Sequence, residues 1–517
     1  MLAKTISASV IGIEAFEIEI EVNVQRGGAT NNPILSNMGN IAIVGLPDLA
    51  VKESRERIKS AFVSSGFKGI TDNITVNLAP ADIRKEGAAF DLAIALAILG
   101  GSNQLKRDRL STTAILGELA LDGSVRAVKG VLPIAVKLAK TNRIDAMIVP
   151  FENREEAANA APNLKIYPVK HLLDAVNFFN SNNLEAFKSS FNPMQALNSI
   201  SPIDFADVKG QILAKRALEI AAAGGHNSLM IGPPGTGKSM LASRVNTILP
   251  PMTFEESLEV SQIYSVLGLL NNKNLISERP FRAPHHTISD IALIGGGKDI
   301  RPGEITLAHH GVLFLDEFPE FKRNVLEVLR QPLENGVINI ARASGSCTFP
   351  AEFMLVAAMN PCPCGRGEVE LGCTCKIDEK RRYLKKISGP LLDRIDLHVE
   401  LKQLSQDELL NAPNGESSAA IRARVMQARA IQLARLKSFG KFCNSQLNSR
   451  ELQLFCKLNN SSMNLLRQAI TQLKLSPRAY DRILKVARTI ADLANSPDIK
   501  EAHIFEAISY RKSDIIS

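Results

Sequence analysis

The run from Asn227 to Arg244, NSLMIGPPGTGKSMLASR, holds residue types that bind phosphate. Ser228–Ile231 is a short apolar stretch that reads as a buried strand. Gly232, Pro233, Pro234, Gly235, Thr236 and Gly237 can neither extend that strand nor start a helix. They predict a compact loop whose glycines let backbone N–H groups turn toward an anion. Lys238 and Ser239 then open a helix. Strand, G-x-x-x-x-G-K-S loop and helix together form a phosphate cradle for ATP. Lys238 supplies charge to the β- and γ-phosphates, and the Ser239 hydroxyl is a ligand for Mg²⁺. A chance Gly/Pro turn would lack the flanking strand and helix.

Two later stretches supply the rest of a hydrolytic site. Val312–Leu315 is a four-residue apolar strand that ends in Asp316 and Glu317. Carboxylates at the carboxyl end of a parallel strand lie where α/β sheets bind ligands. Asp316 is expected to hold Mg²⁺, directly or through water, and Glu317 to polarise the attacking water. Phe353–Met359 is a second apolar strand, and Asn360 at its end offers an amide that can orient the water against the γ-phosphate.

Cys362-Pro363-Cys364 and Cys373-Thr374-Cys375 make a C-x-C pair of pairs, followed at once by Lys376, Lys380, Arg381, Arg382, Lys385 and Lys386. Four thiolates on a short loop suit a structural Zn²⁺ site, although C-x₂-C is the usual spacing; free thiols are the alternative. His285 and His286 are adjacent, so they share neither a helix face nor a strand face, and a structural use is favoured over a metal.

These residues must be positioned by elements that the sequence also marks. The approach to the P-loop, Asp204–Gln211 and then a helix over Ile212–Ala223, resembles that of AAA+ ATPases. In that family the arginine of Gly389–Asp396, here Arg394, reaches the neighbouring subunit's nucleotide; a local pair with Asp393 or Asp396 is the other reading. Arg478, in Ser476-Pro477-Arg478, matches the arginine of the helical lid. The strings FRAPHHT, GGG, PGEI, LAHHGVLFLDE, AAMNPCPCG and ISGPLLDRIDLHVE, in this order, resemble the Mg chelatase-like AAA+ ATPases. The resemblance implies hairpins that line the pore of a homo-hexameric ring. Lys298, Arg301 and Arg342 are then candidate DNA phosphate contacts, or ordinary solvated charge. For the competence-protein branch of the family it implies ATP-driven branch migration during recombination of incoming DNA, with recombination or competence proteins as partners. The alternative is a chelatase-type or protein-remodelling motor that works through partner subunits.

The first third reads differently. Glu17–Val24 has strict period two, the mark of a half-buried strand. Ile41–Pro47, Ile74–Leu78 and Met147–Pro150 read as further strands, and Val51–Ser64, Phe90–Leu99 and Val169–Phe178 as helices. Lys85–Leu92, Gly117–Gly123 and Val149–Asn153 resemble the proteolytic domain of Lon-type proteases, a ribosomal S5 domain 2-like fold. Those enzymes use a Ser–Lys dyad. Ala89 stands at the serine position and Leu132 at about the lysine position, and neither can act as nucleophile or base.

The expected fold is therefore α/β: an AAA+ P-loop core with a helical lid, behind an α+β Lon-like domain. Boundaries are expected at 1–180 (Lon-like), 181–203 (an Asn/Ser-rich linker), 204–403 (ATPase core) and 404–517 (lid). The 517 residues suit roughly three domains, with 45% hydrophobic and 22% charged residues as in ordinary globular proteins. No apolar run is long enough to span a membrane, no secretory leader is recognisable, and seven cysteines do not make a disulfide scaffold; a cytoplasmic protein is expected. Residues 1–190 hold 21 Lys and Arg against 20 Asp and Glu, so seven of the eight net positive charges lie in 191–517. That bias suits a polyanionic partner.

Overall fold

The computed structural model describes residues 1–25, 40–68, 72–141, 143–181, 185–189, 202–270, 275–297, 300–342, 345–367, 372–405, 415–473 and 475–511. The chain forms two compact units, 1–194 with 254–277, and 195–253 with 278–517.

The first unit is built on β1 (Leu2–Ile11), β2 (Glu14–Gln25), β3 (Ile41–Val44), β4 (Asn73–Ala79), β5 (Thr113–Ile115), the ribbon β6 (Glu118–Leu119) and β7 (Val125–Arg126), β8 (Ala146–Pro150) and β9 (Lys165–Val169). Seven of these form one mixed sheet, ordered β3-β4-β2-β1-β5-β8-β9. The period of β2 works as expected: Ile18, Ile20, Val22 and Val24 are buried, while Glu19 and Glu21 on the other face pair with Lys4. After Asp91, the helix Asp91–Gly101 is apolar all round, and it is buried along its whole length. β1 escaped the sequence reading because its small polar residues Thr5, Ser7 and Ser9 face inward, two of them bonded to the backbone of Ala93 and Ile115. The last helix begins later than expected, at Leu172. Val169 ends β9, because Asp174 accepts from the Lys170 and His171 amides (both 3.0 Å) and so fixes the start of the helix there.

Residues 254–277 were expected inside the ATPase core and are instead part of this first unit. The helix Phe254–Leu267 buries Val260 and Ile263, and Leu270 and Leu275 join the apolar cluster of Ile134 and Leu138. Ser265 donates to Glu156, whose carboxylate also accepts from the Leu132 amide at 3.0 Å. The structure thus places Leu132 in a buried helix, Val131–Ala139. Most of the expected linker, 182–184 and 190–201, lies outside the described residues.

The second unit holds β10 (Ser228–Ile231), β11 (Phe281–Arg282), β12 (Gly295–Gly296), β13 (Arg301–Pro302), β14 (Val312–Leu315), β15 (Val337–Arg342), β16 (Gly345–Pro350), β17 (Met354–Met359) and β18 (Leu397–Glu400). Five form an all-parallel sheet, ordered β11-β14-β17-β10-β18. Every residue of β10, β14 and β17 is buried, as strands covered on both faces require. β12–β13 and β15–β16 are two antiparallel ribbons outside that sheet. The C-terminal helices, among them Ser418–Leu436 and Pro477–Leu493, share one apolar cluster with the sheet, from Met230 and Val356 to Val425 and Ile490. No helix among the described residues is long and apolar enough to cross a membrane.

Candidate nucleotide site

Because the sheet is parallel, β10, β14 and β17 end on the same edge, and each end carries a predicted site residue. β10 runs into the P-loop. Gly235 and Gly237 adopt φ of +79° and +88°, a region L side chains rarely enter, and a Cβ on either would meet nothing within 4 Å. The loop is therefore a left-handed, open-faced turn of the kind that aims N–H groups outward. It closes locally: Thr236 Oγ1 donates to the Pro233 carbonyl at 2.8 Å, and Gln211 Nε2 donates to the Thr236 carbonyl at 3.2 Å.

The helix Lys238–Ile248 starts at the loop's end. Lys238 is 7% exposed, and burial lowers the pKa of its ammonium. Its Nζ donates to the carbonyls of Gly232 (2.6 Å) and Pro233 (2.9 Å) and to Asn360 Oδ1 (3.2 Å). Ser239 Oγ donates to Asp316 Oδ2 at 2.6 Å, so the two expected Mg²⁺ ligands already meet. The donor set, a hydroxyl and a carboxylate, is all oxygen, as Mg²⁺ prefers.

Glu317 follows with φ +50° and is half exposed. Its partner is not marked by any motif: His286 Nδ1 lies 3.0 Å from Glu317 Oε2. His285 stacks against His286 with centroids 4.1 Å apart. The strand that precedes this His pair is anchored by a two-pronged Arg282–Glu304 pair (2.6 and 2.7 Å), which joins the FRAPHHT and PGEI strings.

Arg394 and Arg478 form a second group. Arg394 is 5% exposed; its Nη1 donates to the Pro390 carbonyl at 2.7 Å and its Nη2 pairs with Glu334. Its ion-pair partner is therefore Glu334, not Asp393 or Asp396. Arg478, exposed in the first turn of Pro477–Leu493, also acts on Glu334; the hydrogen bond from Arg394 first, then the charges of Arg394, Arg478 and Arg330, hold that carboxyl below its ordinary range. No hydrogen bond joins this group to the P-loop group among the described residues. Asp396 is buried and bonded to Arg482 and to the Asn227 amide (3.1 Å), with His226 Nδ1 3.4 Å away. Despite burial, Arg482 and His226 keep its carboxyl far below the usual range. Asn227 also accepts from the Leu355 amide (2.9 Å) and donates to the Arg394 carbonyl (3.1 Å), tying the starts of β10 and β17 to the turn before β18.

The ribbons carry the remaining candidates. Arg301 is paired with Gly296 in β12–β13, and a Cβ on Gly296 would lie 3.9 Å from Arg342 Nη2 on β15, so both arginines belong to adjacent ribbons. Lys298 lies outside the described residues. The sulfurs of Cys362, Cys364, Cys373 and Cys375 all lie within 4.8 Å of one another.

Family models described as "Magnesium chelatase, subunit ChlI", "Subunit ChlI of Mg-chelatase" and "Magnesium chelatase, subunit ChlI C-terminal" match residues 204–409, 31–153 and 415–511. The chain is 44% identical to the competence protein ComM of Haemophilus influenzae over 513 residues, 99% of this chain and 97% of that protein. The chain belongs to the Mg chelatase-like, YifB/ComM-type family. Escherichia coli YifB, a member described as uncharacterized, is 42% identical over 98% of this chain and 96% of its own length. A 159-residue similarity to Lon protease 2 of Bacillus subtilis, 25% identical over 30% of this chain and 28% of that protein, fits the Lon-like character of the N-terminal region. Membership in this family makes the chain an AAA+-type ATPase.

Proposed function

We propose that the chain is one subunit of a homo-hexameric, Mg²⁺-dependent ATPase ring that remodels branched or single-stranded DNA, a branch-migration motor for recombination of incoming DNA. The observation that supports it most is the assembled cradle: Lys238 bonded to Asn360 and Ser239 bonded to Asp316, beside two open glycine positions. The near full-length likeness to a competence protein supports the DNA role.

In this reading the P-loop amides and Lys238 bind the phosphates, and the carbonyls that now hold Lys238 Nζ give way to phosphate oxygens. Ser239 and Asp316 would hold Mg²⁺, which neutralises phosphate charge when bound. Glu317 takes up a proton from the attacking water, and Asn360 orients that water. Arg394 leaves Glu334 to stabilise developing charge on a neighbouring subunit's nucleotide, and Arg478 senses nucleotide from the helical region. Arg301 and Arg342 on the ribbons, with Lys298, contact DNA phosphates, and the four cysteines hold Zn²⁺. A chelatase-type motor acting through partner subunits is favoured by the magnesium chelatase family models and is the second reading.

The deciding experiment adds full-length protein, ATP and Mg²⁺ to a labelled three- or four-stranded DNA junction. ATP-dependent strand release that is absent in Lys238→Ala and Glu317→Gln is the expected result. No release, with basal ATP hydrolysis intact and unmoved by DNA, would overturn the DNA reading in favour of the chelatase-type one.

A further inference from the structure

The chain leaves β17 at Asn360 and enters the cysteine turn two residues later. The Sγ atoms of Cys362 and Cys364 are 3.3 Å apart, those of Cys362 and Cys373 3.7 Å, and those of Cys364 and Cys373 3.6 Å. A disulfide would bring one pair to ~2.05 Å. Four thiolates around one tetrahedral ion at ~2.3 Å place their sulfurs about 3.8 Å apart. The sulfurs are therefore spaced for a shared metal. Buried Cys362 and Cys373 face it from within, and Cys364 and Cys375 from the outer side.

The surroundings support those thiolates. The Gly367 amide donates to Cys362 Sγ at 3.3 Å, and Arg366 Nη1 reaches across to the Gly372 carbonyl at 3.1 Å, so the two C-x-C pairs are held together by the backbone that bears them. Lys380 donates to the Gly367 carbonyl from the helix Ile377–Leu384, which starts two residues after Cys375. Hydrogen bonds to ligating sulfurs and positive charge nearby are what a thiolate site needs.

The same turn lies against the nucleotide site. Gly365 adopts φ +85°, and a Cβ there would come within 2.9 Å of the Pro234 ring in the P-loop and 3.9 Å of Asn360 Cγ. Buried Tyr383, on the helix that follows the second C-x-C pair, lies close enough for the Asn360 backbone to act on its hydroxyl. Asn360 thus lies near both the turn after the first C-x-C pair and the helix after the second, while its side chain accepts from Lys238.

We propose that Cys362, Cys364, Cys373 and Cys375 bind one Zn²⁺ per chain, and that this ion positions Asn360 and Pro234, so that ATP turnover depends on metal occupancy. The coupling rests on the nucleotide-site reading; the metal site does not. Binding converts thiols to thiolates and releases their protons, and no redox step is involved. The cysteines are positioning residues, so their loss acts on the turnover rate more than on ATP binding.

The test uses the full-length chain. Metal content is measured by plasma mass spectrometry beside ATPase kinetics and the binding of a fluorescent ATP analogue. We expect close to one zinc per chain, lost in Cys364→Ser/Cys375→Ser and after treatment with a strong chelator. With it kcat falls about tenfold, KM and analogue affinity stay within about twofold, and added Zn²⁺ restores the chelated wild type. Gly365→Ala, which presses on Pro234 without touching a ligand, keeps its zinc and shows the same fall in kcat. Zinc well below one per chain with four freely reactive thiols would overturn the site, and stoichiometric iron would overturn the ion's identity. Zinc that leaves without changing kcat would overturn the coupling. A wild type that holds zinc but neither binds nor hydrolyses ATP would instead defeat the nucleotide reading and the coupling built on it, leaving the metal site intact.

Discussion

Two buried charges, Asp91 in the first unit and Lys238 in the second, are resolved in opposite ways. In the first, Asp91 is almost wholly buried and is gripped by Arg57 through two bonds (2.6 and 3.0 Å) and by the Leu119 amide at 3.2 Å. Its counterion is built in. In the second, Lys238 is bonded to two backbone carbonyls and a side-chain amide, all neutral. A buried charge with a fixed partner is structure; one held only by dipoles at the mouth of an open loop awaits an anion. The same contrast separates Ala89 and Leu132, which carry no reactive group, from Ser239 and Asp316, which meet at 2.6 Å.

Removing each of the two charged side chains is expected to give opposite outcomes. Lys238→Ala is expected to reduce ATP hydrolysis by about a thousandfold or more while leaving the melting temperature nearly unchanged, since its partners are solvable dipoles. Steady-state ATPase and calorimetry read both. Arg57→Ala is expected to do the reverse. It strands Asp91 and costs on the order of 3–5 kcal/mol in denaturant titration, with turnover per folded molecule preserved. A catalytic defect without a stability loss would show that the first unit is not merely structural.

A milder test uses pH. Burial pushes the Asp91 carboxyl up to about 6, against the pull of Arg57. A raised folded pKa contributes stability that is complete below the unfolded value near ~3.9 and is lost as pH rises through the folded one. Protection of the Asp91–Gly101 amides in hydrogen exchange, corrected for intrinsic rates, should therefore decline from pH 4 to 7, and Asp91→Asn should flatten that decline. The smallest effect is expected at His286. His286→Ala frees a Glu317 oxygen to take a water proton, so basal kcat should rise about three- to fivefold with KM unchanged. A fall in kcat would mean that His286 orients Glu317 rather than restraining it.

What the sequence made legible was local. Gly232–Ser239, Asp316 and Asn360 each sit at the end of an apolar strand, and a parallel sheet brings those ends to one edge, so spacing alone predicts that they lie on it. Partners chosen by packing were not legible. Glu334 is 60 positions from Arg394, and nothing in either neighbourhood pairs them. His286 reaches Glu317 only because Arg282 and Glu304 anchor its segment. The stretch 254–277 follows the P-loop helix in sequence, and only the burial of Val260, Ile263, Leu270 and Leu275 reveals that it belongs to the first unit. β1 was hidden because its inward face is partly hydroxyl, and period-two hydrophobicity cannot register that.

The proposal above is that ATP hydrolysis at the Lys238 site is spent on DNA. Its most direct test is the ATP turnover rate of the full-length protein in Mg²⁺, with and without a forked or four-way DNA, beside Glu317→Gln. Several-fold stimulation by branched DNA is expected, weakened in Arg301→Ala/Arg342→Ala and absent in Glu317→Gln. A wild-type rate indifferent to every DNA structure, or a Glu317→Gln rate equal to wild type, would contradict it.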